Sequence, residues 1–268
     1  MTHANAAAEA IGRRQGMLRA GRWSAVLSPA TRGGIAAGSW LLAGQATAAG
    51  AQFGFSIIRA RSLTLEEFGA WSFAAALVSL AGVTADFGLG VVAAREMSQR
   101  AESTREYLRT IAALGILLAL AANLLVLAAV LLVRPGGAAA LVAMTYGAQL
   151  LIGGYAVAPV SYFRAHHDTV WECAGRVLQA TVTIGGAAAV AWLGGGLAGF
   201  AAAALVATML FPVPLLFAAG RGAGIPLPRP NIGSSCRILG AAWPIGIGIA
   251  ATAVYYYADT VMLGVLGQ

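Results

Sequence analysis

The sequence lacks lysine and has few charged residues of any kind. All 17 of its basic residues are arginines, and charged residues make up only 10% of the 268 positions, whereas hydrophobic residues make up 59%. A soluble domain carries about 25% charged residues. This shortage, the mean hydropathy of +0.77 and the long apolar runs predict an all-α integral membrane protein, because about 20 apolar residues cross a bilayer as a helix.

The sequence also lacks the residue patterns of common enzyme sites. It has only two cysteines, Cys173 and Cys236, so no disulfide framework is expected. It has no G-x-x-x-x-G-K-[ST] loop, and the glycines of Gly220–Gly224 do not follow a strand as in a dinucleotide loop. The stretch His166–Asp168 offers two adjacent imidazoles and one acid, which form no closed set of metal ligands. We therefore expect no enzyme, no cofactor and no metal site.

Seven apolar segments are long enough to cross a membrane, which predicts a polytopic helical protein. We expect a cytoplasmic tail (residues 1–34), a bundle of six transmembrane helices (residues 35–219), a Gly- and Pro-rich cytoplasmic linker (residues 220–238) and a seventh helix (residues 239–268). The predicted spans are Ile35–Ile58, Ala70–Ala94, Ile111–Val133, Ala138–Phe163, Cys173–Leu193, Leu197–Ala219 and Leu239–Val265.

The arginines predict the orientation of these spans. Despite the net charge of +7, they lie in short segments between apolar runs, a pattern typical of membrane topology and not of a nucleic-acid-binding face. With the N-terminus inside, fourteen of the 17 arginines fall on the cytoplasmic side, and only Arg59, Arg61 and Arg134 fall outside. Because basic loops stay on the cytoplasmic side, we expect a multi-pass protein of the inner (plasma) membrane with a cytoplasmic N-terminus.

Polar side chains inside the spans are the candidate functional residues, because a charge at the bilayer centre costs about 2.5–3.5 kcal/mol and usually faces a cavity or a partner. Asp86 lies nine residues before Arg95, about 13 Å along a helix, and therefore well inside the membrane. Its carboxylate either lines a cavity or bonds to backbone N–H groups near Gly88 and Gly90. The other cavity candidates are Gln45 and Gln52, which share one face of the first span, and Tyr256 and Asp259 in the seventh.

One combination of stretches is shared with a known family of membrane proteins. Ile57–Gly90 contains the turn LTLEEFG and ends in DFGLG, the exit AAREMSQR follows at Ala93–Arg100, and Ala241–Gly267 carries the pattern DTVMLG. Together they resemble the polysaccharide biosynthesis proteins, Wzx-like oligosaccharide flippases of the multidrug/oligosaccharidyl-lipid/polysaccharide exporter superfamily. Members of that family have two similar helical bundles. The resemblance therefore implies that this chain holds the first bundle and the first helix of a truncated second one.

The resemblance also implies a function, and the polar residues fit it. It implies translocation of a lipid-linked oligosaccharide, of the undecaprenyl-pyrophosphate type, by alternating access. Because Asp86 lies deep in its span, we expect it to couple transport to protons or another cation. The expected partners are membrane lipids and, in the same process, a glycan polymerase or glycosyltransferases. We expect Gly88 and Gly90 to act as a hinge. The residues expected to meet phosphates or head groups are Arg59, Arg61, Arg95 and Arg164.

Two other interpretations stay open at this point. A cation-coupled multidrug antiporter of the same superfamily would be expected to have more buried acids than the single deep carboxylate visible here. A non-transporting membrane remnant would fit the expected truncation.

Overall fold

The computed structural model describes residues 29–99, 104–133, 136–221 and 224–266, and every regular element within these ranges is an α-helix. The predicted tail (residues 1–34) lies largely outside the described residues. The described helices are α1 (Pro29–Ser62), α2 (Leu65–Asp86), α3 (Leu89–Gln99), α4 (Thr104–Val133), α5 (Gly137–Ala165), α6 (Val170–Leu193), α7 (Gly196–Leu210), α8 (Pro212–Arg221) and α9 (Ile232–Leu266).

Six stretches of the described chain are long and apolar enough to cross a membrane, which confirms a polytopic helical membrane protein. They are α4, α5, α6 and α9, together with two composite spans formed by α2 with α3 and by α7 with α8. Helix α1 coincides with the first predicted span and has 34 residues, but it is not one of these six. Its many small residues and two glutamines, Gln45 and Gln52, make it less apolar than the others.

Local sequence explains where the second span begins and why it breaks. Thr64 starts α2 with a reciprocal capping box, in which its hydroxyl accepts a hydrogen bond from the Glu67 backbone N–H and the Glu67 carboxylate accepts one from the Thr64 N–H. The helix ends at Phe87 and Gly88, whose φ angles of 37° and 75° are left-handed. Helix α3 then continues the same span, so the predicted span Ala70–Ala94 is two helices with a break between them.

Small residues set how closely the helices of the bundle pack. A Cβ on Gly154 of α5 would lie only 2.8 Å from the Ala119 side chain of α4, so the two backbones approach closely. Asn123 of α4 strengthens this contact by donating a hydrogen bond to the Gly147 carbonyl at 2.9 Å. A similar contact brings Gly44 of α1 against Cys173 of α6.

Helix α9 packs against α2 and also contacts α3 and α4. We call the end at which α9 begins the arginine-rich end, and it carries Arg95, Arg164 and Arg237. Ile238 and Ala242 of α9 are fully buried there, and Arg237 forms an ion pair with Glu96 of α3 at 3.2 Å. Further along the helix, Ala253 is still buried at 9% exposure, whereas Tyr255 and Tyr256 are exposed. The helix begins at Ile232, within the predicted linker, so the segment before it is shorter than predicted.

Candidate functional site

A cavity of about 360 Å³ opens in the bundle between α2, α3, α5, α6 and the junction of α7 with α8. Ligand pockets span roughly 300–1,000 Å³, so this one matches a small ligand or a head group. Much of the wall is built from Gly, Ala, Val and Leu side chains of the spans. The polar side chains on the wall are Asp86, Gln149, Ser161, Arg164 and Arg176.

Asp86 brings an unpaired carboxylate to this cavity. It is the last residue of α2 and is exposed, and within the described part of the chain it makes no hydrogen bond or ion pair. Gly90, one turn further on, lies against it, since a Cβ there would be 3.7 Å from the Asp86 Oδ1. The carboxylate therefore faces the cavity, and it does not cap the helix break at Phe87–Gly88.

Two arginines of the cavity wall share one buried carboxylate. Arg164 of α5 donates from Nε and Nη2 to the two oxygens of Glu172 at 2.8 and 2.7 Å, the bidentate geometry of a strong pair. Arg176, one turn after Glu172 on α6, donates to the same carboxylate at 3.5 Å and lies over the Phe211 ring at 5.1 Å. The Glu172 side chain is only 1% exposed, whereas the arginines are 32% and 26% exposed.

The charges around the cavity balance, although they are not all paired. Arg164 and Arg176 contribute two positive charges, and Glu172 neutralises one of them from behind the wall. Asp86 interacts electrostatically with Arg164 without being bonded to it. The arginine wall alone thus carries one excess positive charge, and Asp86 is its counter-charge on the cavity surface.

Two further side chains fix the shape of the cavity. The Gln149 Oε1 accepts a hydrogen bond from the Thr208 hydroxyl at 3.2 Å, which ties α5 to α7. Ser161 is buried and donates to the Gly90 carbonyl at 3.3 Å, which ties α5 to α3 beside the helix break. These bonds hold α3, α5 and α7 around the polar wall.

Residues 35–267 match the sequence profile of the polysaccharide biosynthesis proteins. The chain belongs to this family. No curated protein matches it significantly. The family assignment confirms the resemblance seen in the turn at Leu63–Gly69, in the DFGLG stretch that follows α2 and in the last predicted span.

The structure is similar to that of a MOP superfamily transporter from Pyrococcus furiosus, with a TM-score of 0.58 and 17% sequence identity. The match covers 83% of this chain and 52% of the transporter, so the chain spans about half the length of that relative. At this identity the likeness shows the fold alone.

The four predicted head-group arginines lie in different places in this polysaccharide biosynthesis protein. Only Arg164 lines the cavity. Arg95 is exposed at the arginine-rich end, and Arg61 is exposed at the opposite end, where α1 terminates. Arg59 is only 7% exposed, with its guanidinium 4.5 Å from the Trp71 ring centre and 5.2 Å from that of Phe55. The prediction that Arg59 meets a head group does not fit this burial, because aromatic rings enclose its charge.

The remaining predicted cavity residues are not brought together with Asp86. Gln45 and Gln52 are exposed on α1, and Tyr256 and Asp259 are exposed on α9. The Asp259 carboxylate accepts a hydrogen bond from the next backbone N–H, that of Thr260, at 2.7 Å. The described helices therefore do not form a single cavity that spans one, two and seven share.

The two predicted hinge glycines differ from each other. Gly88 has φ of 75° and occupies the break between α2 and α3, whereas Gly90 is an ordinary residue of the first turn of α3. Sequence reasoning missed Glu172 and Arg176 as functional residues. Their i,i+4 spacing just after Arg164 and a short connector was the available signal.

Proposed function

We propose that this protein takes part in moving a lipid-linked oligosaccharide across the membrane, and that the polar part of the substrate contacts the cavity at Asp86 and Arg164. The observation that carries the proposal is that one cavity of the helical bundle brings Asp86 together with Arg164. A charge at the bilayer centre costs about 2.5–3.5 kcal/mol on insertion scales, so an acid within a span, such as Asp86, is retained where it serves a cavity or a pathway.

The size and lining of the cavity support a head group as the contacting part. A volume of about 360 Å³ matches a phosphate group with an adjoining sugar and not a complete oligosaccharide. Arginine is the side chain best suited to bind phosphate oxygens, because its planar guanidinium donates two parallel hydrogen bonds and stays charged. We propose that the lipid tail stays in the bilayer and that alternating access requires the complete two-bundle protein.

The charged residues of the same cavity give less support to a multidrug antiporter. A pocket for cationic drugs needs unpaired acids, and here the one unpaired carboxylate, Asp86, faces two arginines. If the protein were a remnant without transport activity, its function would not require the charged side chains of this cavity. The export experiment below separates that interpretation from the flippase.

The test is glycan export by the full-length protein carrying Asp86→Asn. Amide replacement keeps the size of the side chain and removes its charge, so we expect export to fall about tenfold or more while membrane insertion and abundance stay the same. The matched control is Asp259→Asn, which changes an exposed acid far along α9, and we expect it to export normally. Normal export by Asp86→Asn would remove Asp86 and this cavity from the mechanism.

A further inference from the structure

An open pocket of about 400 Å³ lies at the arginine-rich end, where the segment between α8 and α9 packs against the start of α4. We call it the linker pocket. It is lined by Glu106, Arg109, Thr110, Arg229, Pro230 and Asn231. None of these residues lines the cavity that contains Asp86, so the two sites are separate.

Hydrogen bonds hold the segment between α8 and α9 in place on α4. The Arg229 backbone N–H donates to the Arg109 carbonyl at 3.2 Å, and the Asn231 side-chain amide donates to the Glu106 carboxylate at 3.3 Å. The Asn231 carbonyl also accepts a hydrogen bond from the Ser235 N–H of α9 at 2.8 Å. The fold therefore builds the linker pocket, and it brings together two arginines that are distant in sequence.

The guanidinium groups of these two arginines have no partner among the described residues. Arg109 is half-buried, and its Nε is shielded from solvent without a hydrogen bond, whereas Arg229 is exposed. Glu106, the acid of this wall, is bonded to Asn231 and pairs with neither arginine in the described part of the chain. The wall therefore carries one net positive charge and two guanidinium groups with free donors, which suit phosphate oxygens.

Exposed apolar side chains lie next to these charges. Ile225 and Leu227 precede Arg229 in the same segment, and they are 56% and 64% exposed. Arg109 comes two residues before Ile111, where the apolar run of α4 begins. Apolar side chains beside unpaired arginines at the end of a membrane span are typical of chain that lies at the level of lipid head groups.

We propose that the linker pocket binds the phosphate of an anionic phospholipid from the leaflet at the arginine-rich end. Arg109 and Arg229 bind the phosphate oxygens, and Ile225 and Leu227 lie beside the acyl chains. A phosphodiester carries one negative charge, which matches the net charge of the wall. A soluble phosphate ester has no apolar part for the exposed side chains, so the structure favours the lipid. The bound lipid fixes the segment between α8 and α9 at the membrane surface.

The test is a competition between two phospholipids for the purified full-length protein in a non-ionic detergent. Dioleoyl phosphatidylglycerol is the anionic probe. Dioleoyl phosphatidylcholine is the control, because its choline adds a positive charge next to the phosphate. Native mass spectrometry counts the bound lipids at about 150 mM salt, where charges more than about 8 Å apart are largely screened. We expect a preference for phosphatidylglycerol of about fivefold or more, and equal binding of the two lipids would overturn the proposal.

Variants that remove one charge locate the site. Arg109→Gln and Arg229→Gln should each lower the affinity for phosphatidylglycerol about fivefold and leave phosphatidylcholine binding unchanged. The matched control is Arg95→Gln, which removes an exposed charge from the same end of the bundle but outside the linker pocket, and it should bind like the wild type.

The comparison of these variants decides between a specific site and general attraction. An equal loss of affinity in Arg95→Gln would show general attraction of anionic lipid and overturn the proposal. Arg229 is exposed and outside the helices, so Arg229→Gln keeps the test decisive even where Arg109→Gln disturbs folding. Thermal unfolding in detergent checks the folding of each variant.

Two further measurements distinguish a lipid from a soluble phosphate ester. Leu227→Ser should weaken phosphatidylglycerol binding several-fold, because the exposed leucine loses its contact with the acyl chains. Glycerol 3-phosphate at the same concentration as the lipid should not displace it. Displacement by glycerol 3-phosphate, or unchanged lipid binding by Leu227→Ser, would overturn the assignment to a lipid. None of these measurements involves export, so their outcome is independent of the proposed transport function.

Discussion

At the scale of single residues, Glu172 organises the positive wall of the cavity. A carboxylate that is almost completely buried is stable only when it is paired, and here two guanidinium groups pair with it. The pairing also fixes both arginines on one wall, because Arg164 comes from α5 and Arg176 from α6. One buried acid thus positions two cavity residues from two helices.

We expect Glu172→Gln to destabilise the protein substantially. Removing one partner of a buried ion pair costs about 3–5 kcal/mol, and we expect the lower end of this range because the arginines are partly exposed. The matched control is Glu96→Gln, which removes a more exposed pair with Arg237 and should cost less than about 1 kcal/mol. Thermal unfolding in detergent measures both. Equal losses for the two variants would contradict the role given to Glu172.

The sequence predicted individual cavity residues unevenly, for a physical reason. Asp86 stood out because a lone acid in an apolar run is expensive wherever the run folds. Glu172 lies near a polar connector, where the sequence predicts a solvent-exposed acid. Its burial against Arg164 is visible only in the folded structure. The burial of Arg59 was not evident from the sequence either, because it depends on how its guanidinium packs against Phe55, one turn earlier on α1, and Trp71 of the following helix.

At the scale of elements, the break between α2 and α3 places Asp86 at a helix end beside the cavity. The Phe87 ring packs directly against Gly246 of α9. The contact is so close that a Cβ added to this glycine would lie 2.8 Å from the ring. Gly88 fits beneath Ile245 in the same way. The break therefore joins the cavity to the docking site of α9.

We expect Gly88→Ala to destabilise this junction. A left-handed alanine costs about 1–2 kcal/mol, and its Cβ would lie 2.8 Å from the Ile245 Cγ2, so α9 would have to move. Gly90→Ala is the control, since that position is helical and the nearest atom to a new Cβ is 3.7 Å away. Thermal unfolding should show a loss for Gly88→Ala and little change for Gly90→Ala. The reverse order would rule out the strained turn.

The helices themselves were largely predictable, because apolar runs of span length have few alternatives in a bilayer. The breaks that divide two of these spans into separate helices were harder to predict from the sequence. The break at Phe87–Gly88 and the α7–α8 junction before Pro212 lie within continuous apolar runs, where hydropathy gives no boundary. Glycine and proline mark both sites, but the sequence does not show which of its 35 glycines adopts a left-handed angle.

At the scale of the whole molecule, the contacts of α9 are asymmetric along its length. Its first half is clamped to the bundle by the Glu96–Arg237 pair and by the buried Ile238 and Ala242. Its second half buries Ala253 but leaves Tyr255 exposed. The most completely buried residues of α9 therefore lie at the arginine-rich end, which is the end that the arginine distribution predicts to be cytoplasmic.

The two cysteines allow this orientation to be tested on the native chain. Cys236 is exposed at the start of α9, beside Arg237 at the arginine-rich end, whereas Cys173 is buried against α1. A membrane-impermeant maleimide should therefore leave the protein unlabelled in intact cells and label it once in inside-out vesicles. Cys236→Ser should abolish that labelling and Cys173→Ser should not. Labelling of Cys236 from outside intact cells would invert the topology and place the arginine-rich end at the outer surface.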